Sequence, residues 1–444
     1  MKGNRFISLI LVILALVLTV CSCGGGEEEE AANYPTKTLN VYNWGEYISD
    51  EDDEECGLID ANSAFEEYFN TYLADTYKCY IKVNYSTYAT NEDMYAKITN
   101  SAVAYDVITP SDYMIEKMIS ENLLLEIDTT KLSNYGNINT EFTNMYYDPE
   151  NKYSIPYSYG MVGIIYNTEF VDEEDVASKS WNLLWNAKYT GKILQFNNPR
   201  DAFATAMFKE GLNINSHSYA DWEAALEILK AQKPLLQGYV NDEIFNKMKS
   251  ASAYIAPYFA GDFLTMAADN EDLNFYYPTE GTNYFVDAMC IPKTSKNPEL
   301  SLEYINFMIS RDAATANALY IGYATPNKAV TEYDRYKELL AESYDTEYVS
   351  AWDVLYGESK DSANATYNFN PAYENYYKDE NIDIQAHVNT LWESLKTENS
   401  TEPWIHVTSI TIVAGVLSLT IYDQYIKKKR SKHYRLRDKA KKSA

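Results

Sequence analysis

Leu39-Asn40-Val41-Tyr42-Asn43-Trp44-Gly45-Glu46-Tyr47-Ile48-Ser49-Asp50 is the stretch on which the reading of the fold turns. Residues 39–42 alternate apolar and polar side chains, as a short strand does, and 43–47 break the alternation. The loop that follows sets an indole, a glycine, a carboxylate and a phenol side by side. In an open α/β sheet, ligands bind in the crevice beyond the carboxyl ends of the strands. A carboxylate between aromatic faces is how proteins hold organic cations. The same loop would equally serve as an aromatic cluster that packs the first strand into the core. The rest of the chain has to choose.

Working outward, Phe65, Tyr68, Phe69 and Tyr72 recur at three- and four-residue spacing, which predicts a helix over 58–75. A strand is expected at 80–85, a helix opening at Asn91, a strand at 105–109, and another helix after Pro110-Ser111-Asp112-Tyr113. Strand, helix, strand, helix, strand at this spacing predicts a parallel sheet with crossovers. The pattern continues with strands at 160–166, 192–196, 251–259 and 284–291 and helices at 202–209, 221–231, 263–268 and 298–309. Residues 333–385, polar and rich in tyrosine, give no clear element beyond loops and short helices.

The 444 residues are too many for one ordinary domain. Tyrosine is abundant, at 42, and the net charge is −28. The tail 424–444 nets +9 (ten Lys/Arg against one Asp), which leaves −37 for the remainder. An acidic body of that size repels nucleic acid and draws cations from solution, so no nucleic-acid partner is expected. Asp50-Glu51-Asp52-Asp53-Glu54-Glu55 reads as a solvated loop, because the alternating ligand spacing of a calcium loop is missing.

Both ends carry segments of their own. Lys2 and Arg5, an apolar run over 6–20 and Cys21-Ser22-Cys23 form a signal peptide over 1–23 with a lipoprotein-like cleavage site, so lipidation falls on Cys23, or on Cys21. Residues 24–36 follow as a tether. Near the other end, 404–422 lacks formal charge and has Trp404 and Tyr422 at its edges, with Lys427-Lys428-Lys429-Arg430 just beyond. That predicts a transmembrane helix over 403–423 and a basic cytoplasmic tail over 424–444.

Enzyme chemistry has no positive support. Four histidines are scattered, there is no phosphate-cradling glycine loop and no Cys-x-x-Cys pair, so neither a metal site nor a cofactor is expected. Cys56 and Cys79 flank a helix that would hold them roughly 25 Å apart, which predicts free thiols.

Six motifs in order resemble one family: Asn43-Trp44-Gly45-Glu46-Tyr47; Tyr85-Ser86-Thr87-Tyr88 through Asn91-Glu92 to Met94-Tyr95-Ala96-Lys97; Pro110-Ser111-Asp112-Tyr113; Tyr153-Ser154-Ile155-Pro156-Tyr157; Val286-Asp287-Ala288; and Ile321-Gly322-Tyr323-Ala324-Thr325-Pro326-Asn327. Over about 37–330 the chain resembles the spermidine/putrescine-binding proteins of bacterial ABC transporters. The resemblance implies a two-lobed type II periplasmic-binding-protein fold with hinge strands. Lobe 1 would comprise 37–155 and 288–325, and lobe 2 would comprise 156–287 and 326–400. It further implies a polyamine ligand and ABC permease subunits as partners. Trp44, Glu46, Tyr47, Ser111 and Tyr113 would line the cleft from the first lobe, and Asn198, Asp201, Phe259 and Phe285 from the second. Asp287 would be the central carboxylate, and Tyr323 would complete the wall. Family members often carry an acid at the place of Asn198 and tryptophan at the places of Phe259 and Phe285, which puts the preferred polyamine in doubt. The same fold could instead receive another amine or a metal complex. A membrane-tethered amine sensor is the alternative from a different functional class.

Overall fold

The computed structural model describes residues 33–53, 55–100, 103–347, 349–357 and 382–397. Nine strands build a mixed sheet. β1 (Thr36–Trp44) pairs in parallel with β2 (Tyr80–Tyr88) through all nine residues, and β3 (Val107–Ile108) lies parallel on its other side. Parallel neighbours need a crossover, and the helix Ala61–Tyr72 supplies it. Asp60 caps that helix by accepting from Ser63 N, and Phe65 and Phe69 are fully buried beneath it. Burying each phenylalanine contributes roughly 1.5–3 kcal/mol.

Two long strands carry the sheet from its first half to its second. β4 (Ser154–Asn167) runs for 14 residues and is antiparallel to β9 (Tyr284–Cys290) over its first part. Its second part pairs with β7 (Ile255–Phe259) and β8 (Leu273–Tyr276). β5 (Ile193–Phe196) lies parallel to both β7 and β6 (Leu236–Val240). The order is β2-β1-β3-β9-β4-β7-β5-β6, with β8 on β4. The expected parallel arrangement therefore holds inside each half, and antiparallel crossing strands join the halves. The extended stretch 153–159 and the apolar strand 160–166 are one element, because the backbone at Gly160 continues the ladder opposite Phe285.

The unassigned stretch after 333 contains a helix, Asp334–Tyr344, and a short one, Ala351–Tyr356. Tyr336 is wholly buried there and shares a hydroxyl–hydroxyl bond of 2.8 Å with Tyr356. Tyr344 is buried in the same way, and its hydroxyl donates to Leu319 O at 2.5 Å, so these rings are core while their polar ends are satisfied. The helix Ile382–Thr397 packs on the helix Tyr219–Gln232 in the second half, with Trp392 against Tyr239. Cys56, Cys79 and Cys290 are free, as expected.

One part of the expected fold class is corrected. Among the described residues no helix is long and apolar enough to cross a membrane. The span expected at 403–423 lies outside the described residues, as do the leader 1–23, the tether up to 32 and the tail 424–444. The expectation leaned on a run without formal charge. That run holds His406, Thr408, Ser409, Thr411, Ser418 and Thr420, and absence of charge is a weaker signal than an apolar composition.

Candidate ligand-binding site

The ends of β1 and β3 meet the middle of β9 at one place. Asp287, in the middle of β9, is buried, and each of its carboxylate oxygens accepts a hydrogen bond. Ser111 Oγ donates to Oδ1 at 2.6 Å and Tyr47 OH to Oδ2 at 2.7 Å. Burial pushes the Asp287 carboxyl up to about 6, against the pull of the two hydroxyls. Ser111 follows the end of β3, where its backbone bridges to Asp287. Asn91 holds it there by donating Nδ2 to Ser111 Oγ at 3.1 Å and to Tyr113 OH at 3.0 Å.

Tyr47 leads from that carboxylate into an aromatic cluster set apart from the main core. Trp44, Tyr157, Phe259, Phe285, Tyr320 and Tyr323 join it. Tyr47 and Tyr323 meet edge to face at 5.6 Å, and Phe259 meets Phe285 in the same manner at 5.4 Å. Trp44 is anchored by its Nε1, which donates to Thr109 O at 3.0 Å. Tyr157 sits at an irregularity in β4, where the register passes from Pro156↔Ala288 to Ser158↔Asp287 and leaves it as the extra residue. Such a bulge re-aims a side chain, and here the Tyr157 hydroxyl donates to Tyr47 O at 2.8 Å.

A second carboxylate, half-buried, stands at the far side of the tyrosine pair. Asp262, in the first turn of the helix Ala260–Asp269, accepts from Tyr323 OH at 2.9 Å. Burial pushes its carboxyl up to about 7. Gly261 beside it is required, because a Cβ there would lie 2.1 Å from a Tyr323 ring carbon. Tyr323 follows Gly322, whose φ of +67° ends the helix Arg311–Ile321 in the left-handed region that glycine favours.

Tyr47, Ser111, Asp287, Trp44, Phe259, Phe285 and Tyr323 are thus linked by direct contacts, and Tyr113 is linked through Asn91. Other expected residues stand differently. Glu46 is exposed, with φ +49°, and accepts only a long bond of 3.4 Å from Tyr320 OH. Asn198 is the N-cap of the helix Pro199–Lys209: its Oδ1 accepts from Asp201 N, and its Nδ2 donates to Asp201 Oδ2, both at 2.9 Å. Cys23 lies outside the described residues. Sequence reasoning missed Asp262, Tyr157 and Asn91 as parts of the site. For Asp262 a signal existed, an acid just past the end of β7 next to a glycine. Tyr157 ends one of the six motifs, yet nothing in the alternation of side chains marks the bulge that aims it at Tyr47.

Comparison with known proteins gives the chain a family. Residues 67–341 match the family described as bacterial extracellular solute-binding protein. A spermidine/putrescine-binding periplasmic protein of Escherichia coli is 33% identical over 345 residues, covering 77% of this chain and 90% of that one. The chain belongs to the bacterial extracellular solute-binding proteins. A putrescine/cadaverine-binding protein of Pseudomonas aeruginosa is 25% identical, covering 72% of this chain and 86% of that protein. The solved spermidine/putrescine ABC transporter substrate-binding protein of Streptococcus pneumoniae superposes with a TM-score of 0.60 at 31% identity, covering 81% of this chain and 98% of that one. The family's role is to bind a solute rather than to transform it, and its place of work is outside the cytoplasm.

Proposed function

We propose that this solute-binding protein captures a polyamine, putrescine or spermidine, and delivers it to an ABC permease. The observation that carries the reading is the Asp287 carboxylate, buried in the middle of β9 and held by two hydroxyl donors. An ammonium group reaching it would gain a charge-assisted hydrogen bond, and the neighbouring rings would cover methylenes. Asp262, across Tyr47 and Tyr323, offers a second negative end. The similarity to proteins named for spermidine, putrescine and cadaverine supports the same class of ligand.

On this reading Trp44, Tyr47, Ser111, Tyr113, Phe259, Phe285, Asp287 and Tyr323 line the cleft, with Glu46, Asn198 and Asp201 at its margins. Lobe 1 comprises 37–155 and 288–325, lobe 2 comprises 156–287 and 326–400, and β4 and β9 bend between them. Closing the lobes excludes water, which strengthens each ion pair. A lipid on Cys23 holds the receptor at the outer membrane face, where raised effective concentration favours hand-over to the permease.

Calorimetric titration of the protein with putrescine and spermidine tests the reading. Binding of either amine, lost in Asp287→Ala and kept in Asp312→Asn at an exposed ion pair, is the expected result. No heat with either amine, or equal losses in the two variants, would remove the site.

A further inference from the structure

Arg200 lies at the Tyr113 end of the site. It is in the first turn of the helix Pro199–Lys209, the end of a helix that disfavours positive charge. Its guanidinium nevertheless crosses from the second half of the sheet to the first and stacks on Tyr113, with Cζ 3.8 Å from the ring centroid. That ring is set by others: its hydroxyl accepts from Asn91 at 3.0 Å and donates to Glu92 Oε1 at 3.1 Å. Next to it Asp112 is buried and accepts from the backbone of Tyr113 at 2.7 Å and of Val286 at 3.2 Å. Burial pushes the Asp112 carboxyl well above the usual carboxylate range, and the charge of Arg200 opposes that shift. The guanidinium therefore covers one face of Tyr113 and sets its positive charge near the buried Asp112.

We propose that Arg200 is a specificity-determining residue, a tethered cation that holds the Tyr113 end of the cleft and sets the site for a ligand with two positive charges rather than three. This deepens the polyamine reading and rests on it. A ring face in van der Waals contact with one cation has no room for a second on the same side, and like charges in a water-excluded cleft repel. Asp112 is already engaged by two backbone N–H groups and Glu92 by the Tyr113 hydroxyl, so in the centre of the cleft Asp287 and Asp262 remain to meet ligand nitrogens, one for each end of a diamine. A third ammonium group has to displace the guanidinium or lie beside it.

The test is titration of wild type, Arg200→Met and Arg200→Lys with putrescine and with spermidine. Wild type should favour putrescine. Arg200→Met, which keeps the stem and removes the charge, should move the ratio of affinities toward spermidine by about tenfold, while Arg200→Lys should keep the wild-type ratio. Equal weakening of both amines in Arg200→Met would make Arg200 a plain fastener between the two halves and overturn the proposal, as would an unmoved ratio. Arg200→Gln replaces Arg200→Met if melting shows that variant unfolded. If neither folds, the wild-type ratio decides, and tighter binding of spermidine overturns the proposal. Wild type that binds neither amine overturns the polyamine reading and this proposal with it, whereas binding with an unmoved ratio overturns this proposal alone.

Discussion

The two walls of the site are built by different means. On the side of β1 and β3, nearly every side chain has a polar handle that is held. Trp44 is held there by its indole bond to Thr109, Tyr47 by its bond to Asp287, and Ser111 and Tyr113 by their bonds to Asn91. On the other side the rings are Phe259, the last residue of β7, and Phe285, on β9, which have no such handle and are fixed by packing alone. The hydrogen-bonded wall sets direction, because its bonds tolerate little rotation. The phenylalanine wall sets width, because packing fixes volume more than angle. Asp287 and Asp262 divide along the same line: two hydroxyls hold the first, and Tyr323 holds the second.

The largest expected effect comes from breaking the carboxylate ends one at a time. Asp287→Asn should weaken diamine binding by roughly 100-fold or more, in the range for removing one partner of a buried charged pair. Asp262→Asn should cost less, roughly 30-fold, since Tyr323 alone orients that carboxyl. Titration calorimetry reads both. A larger loss at Asp262 would reverse the ranking of the two ends.

The second effect is on stability, at the close approach that lets Tyr323 lie between the walls. Gly261→Ala should destabilise the protein by about 1–3 kcal/mol, the range for overpacking, because its methyl would meet the Tyr323 ring. Gly238→Ala on β6, with open space around its position, should change stability by less than about 0.5 kcal/mol. Urea melts of the two variants make the comparison. Similar midpoints would mean that Tyr323 is free to move aside.

A third effect is in pH. Both carboxyls are raised from an ordinary value near 3.8, Asp287 to about 6 and Asp262 to about 7. Between the unfolded and folded values the folded protein binds more protons, so the free protein loses stability as pH rises from about 4 through 7. Ligand ammonium groups stay charged across that window and favour the ionised carboxylates. Affinity should therefore fall as pH drops from 8 to 5, and the rise in Tm on adding putrescine should shrink with it. A pH-independent rise would show that neither acid meets a ligand nitrogen.

The contrast between the walls also explains what could be read from the chain. The hydrogen-bonded wall was legible because Asn43-Trp44-Gly45-Glu46-Tyr47 and Pro110-Ser111-Asp112-Tyr113 each place their side chains within one loop, close to a strand end that alternation reveals. Asp287, in the middle of an apolar strand, was assigned only through the resemblance to the spermidine/putrescine-binding proteins. Asp262 and Tyr157 were not legible. The first depends on a helix start that brings it under Tyr323, 61 residues away, and the second on a bulge. Glu46 stands apart: its place in the loop suggests a cleft carboxylate, and its side chain is exposed on a backbone in the left-handed region.

Asn198 gives the smallest expected effect and the sharpest test of whether the packed wall can be made to take part in charge recognition. Asn198→Asp keeps the cap, because an aspartate oxygen still accepts from Asp201 N and the two residues are nearly equal as helix N-caps. What it loses is the amide donor to Asp201 Oδ2, replaced by repulsion between two carboxylates three residues apart. Stability should shift by less than about 0.5 kcal/mol. Putrescine affinity should change by no more than about threefold, because the new charge is spent partly on Asp201 and sits away from the Asp287 group. A gain of tenfold or more would show that the helix start at Asn198 faces the ligand directly, and the division between a directing wall and a spacing wall would have to be redrawn.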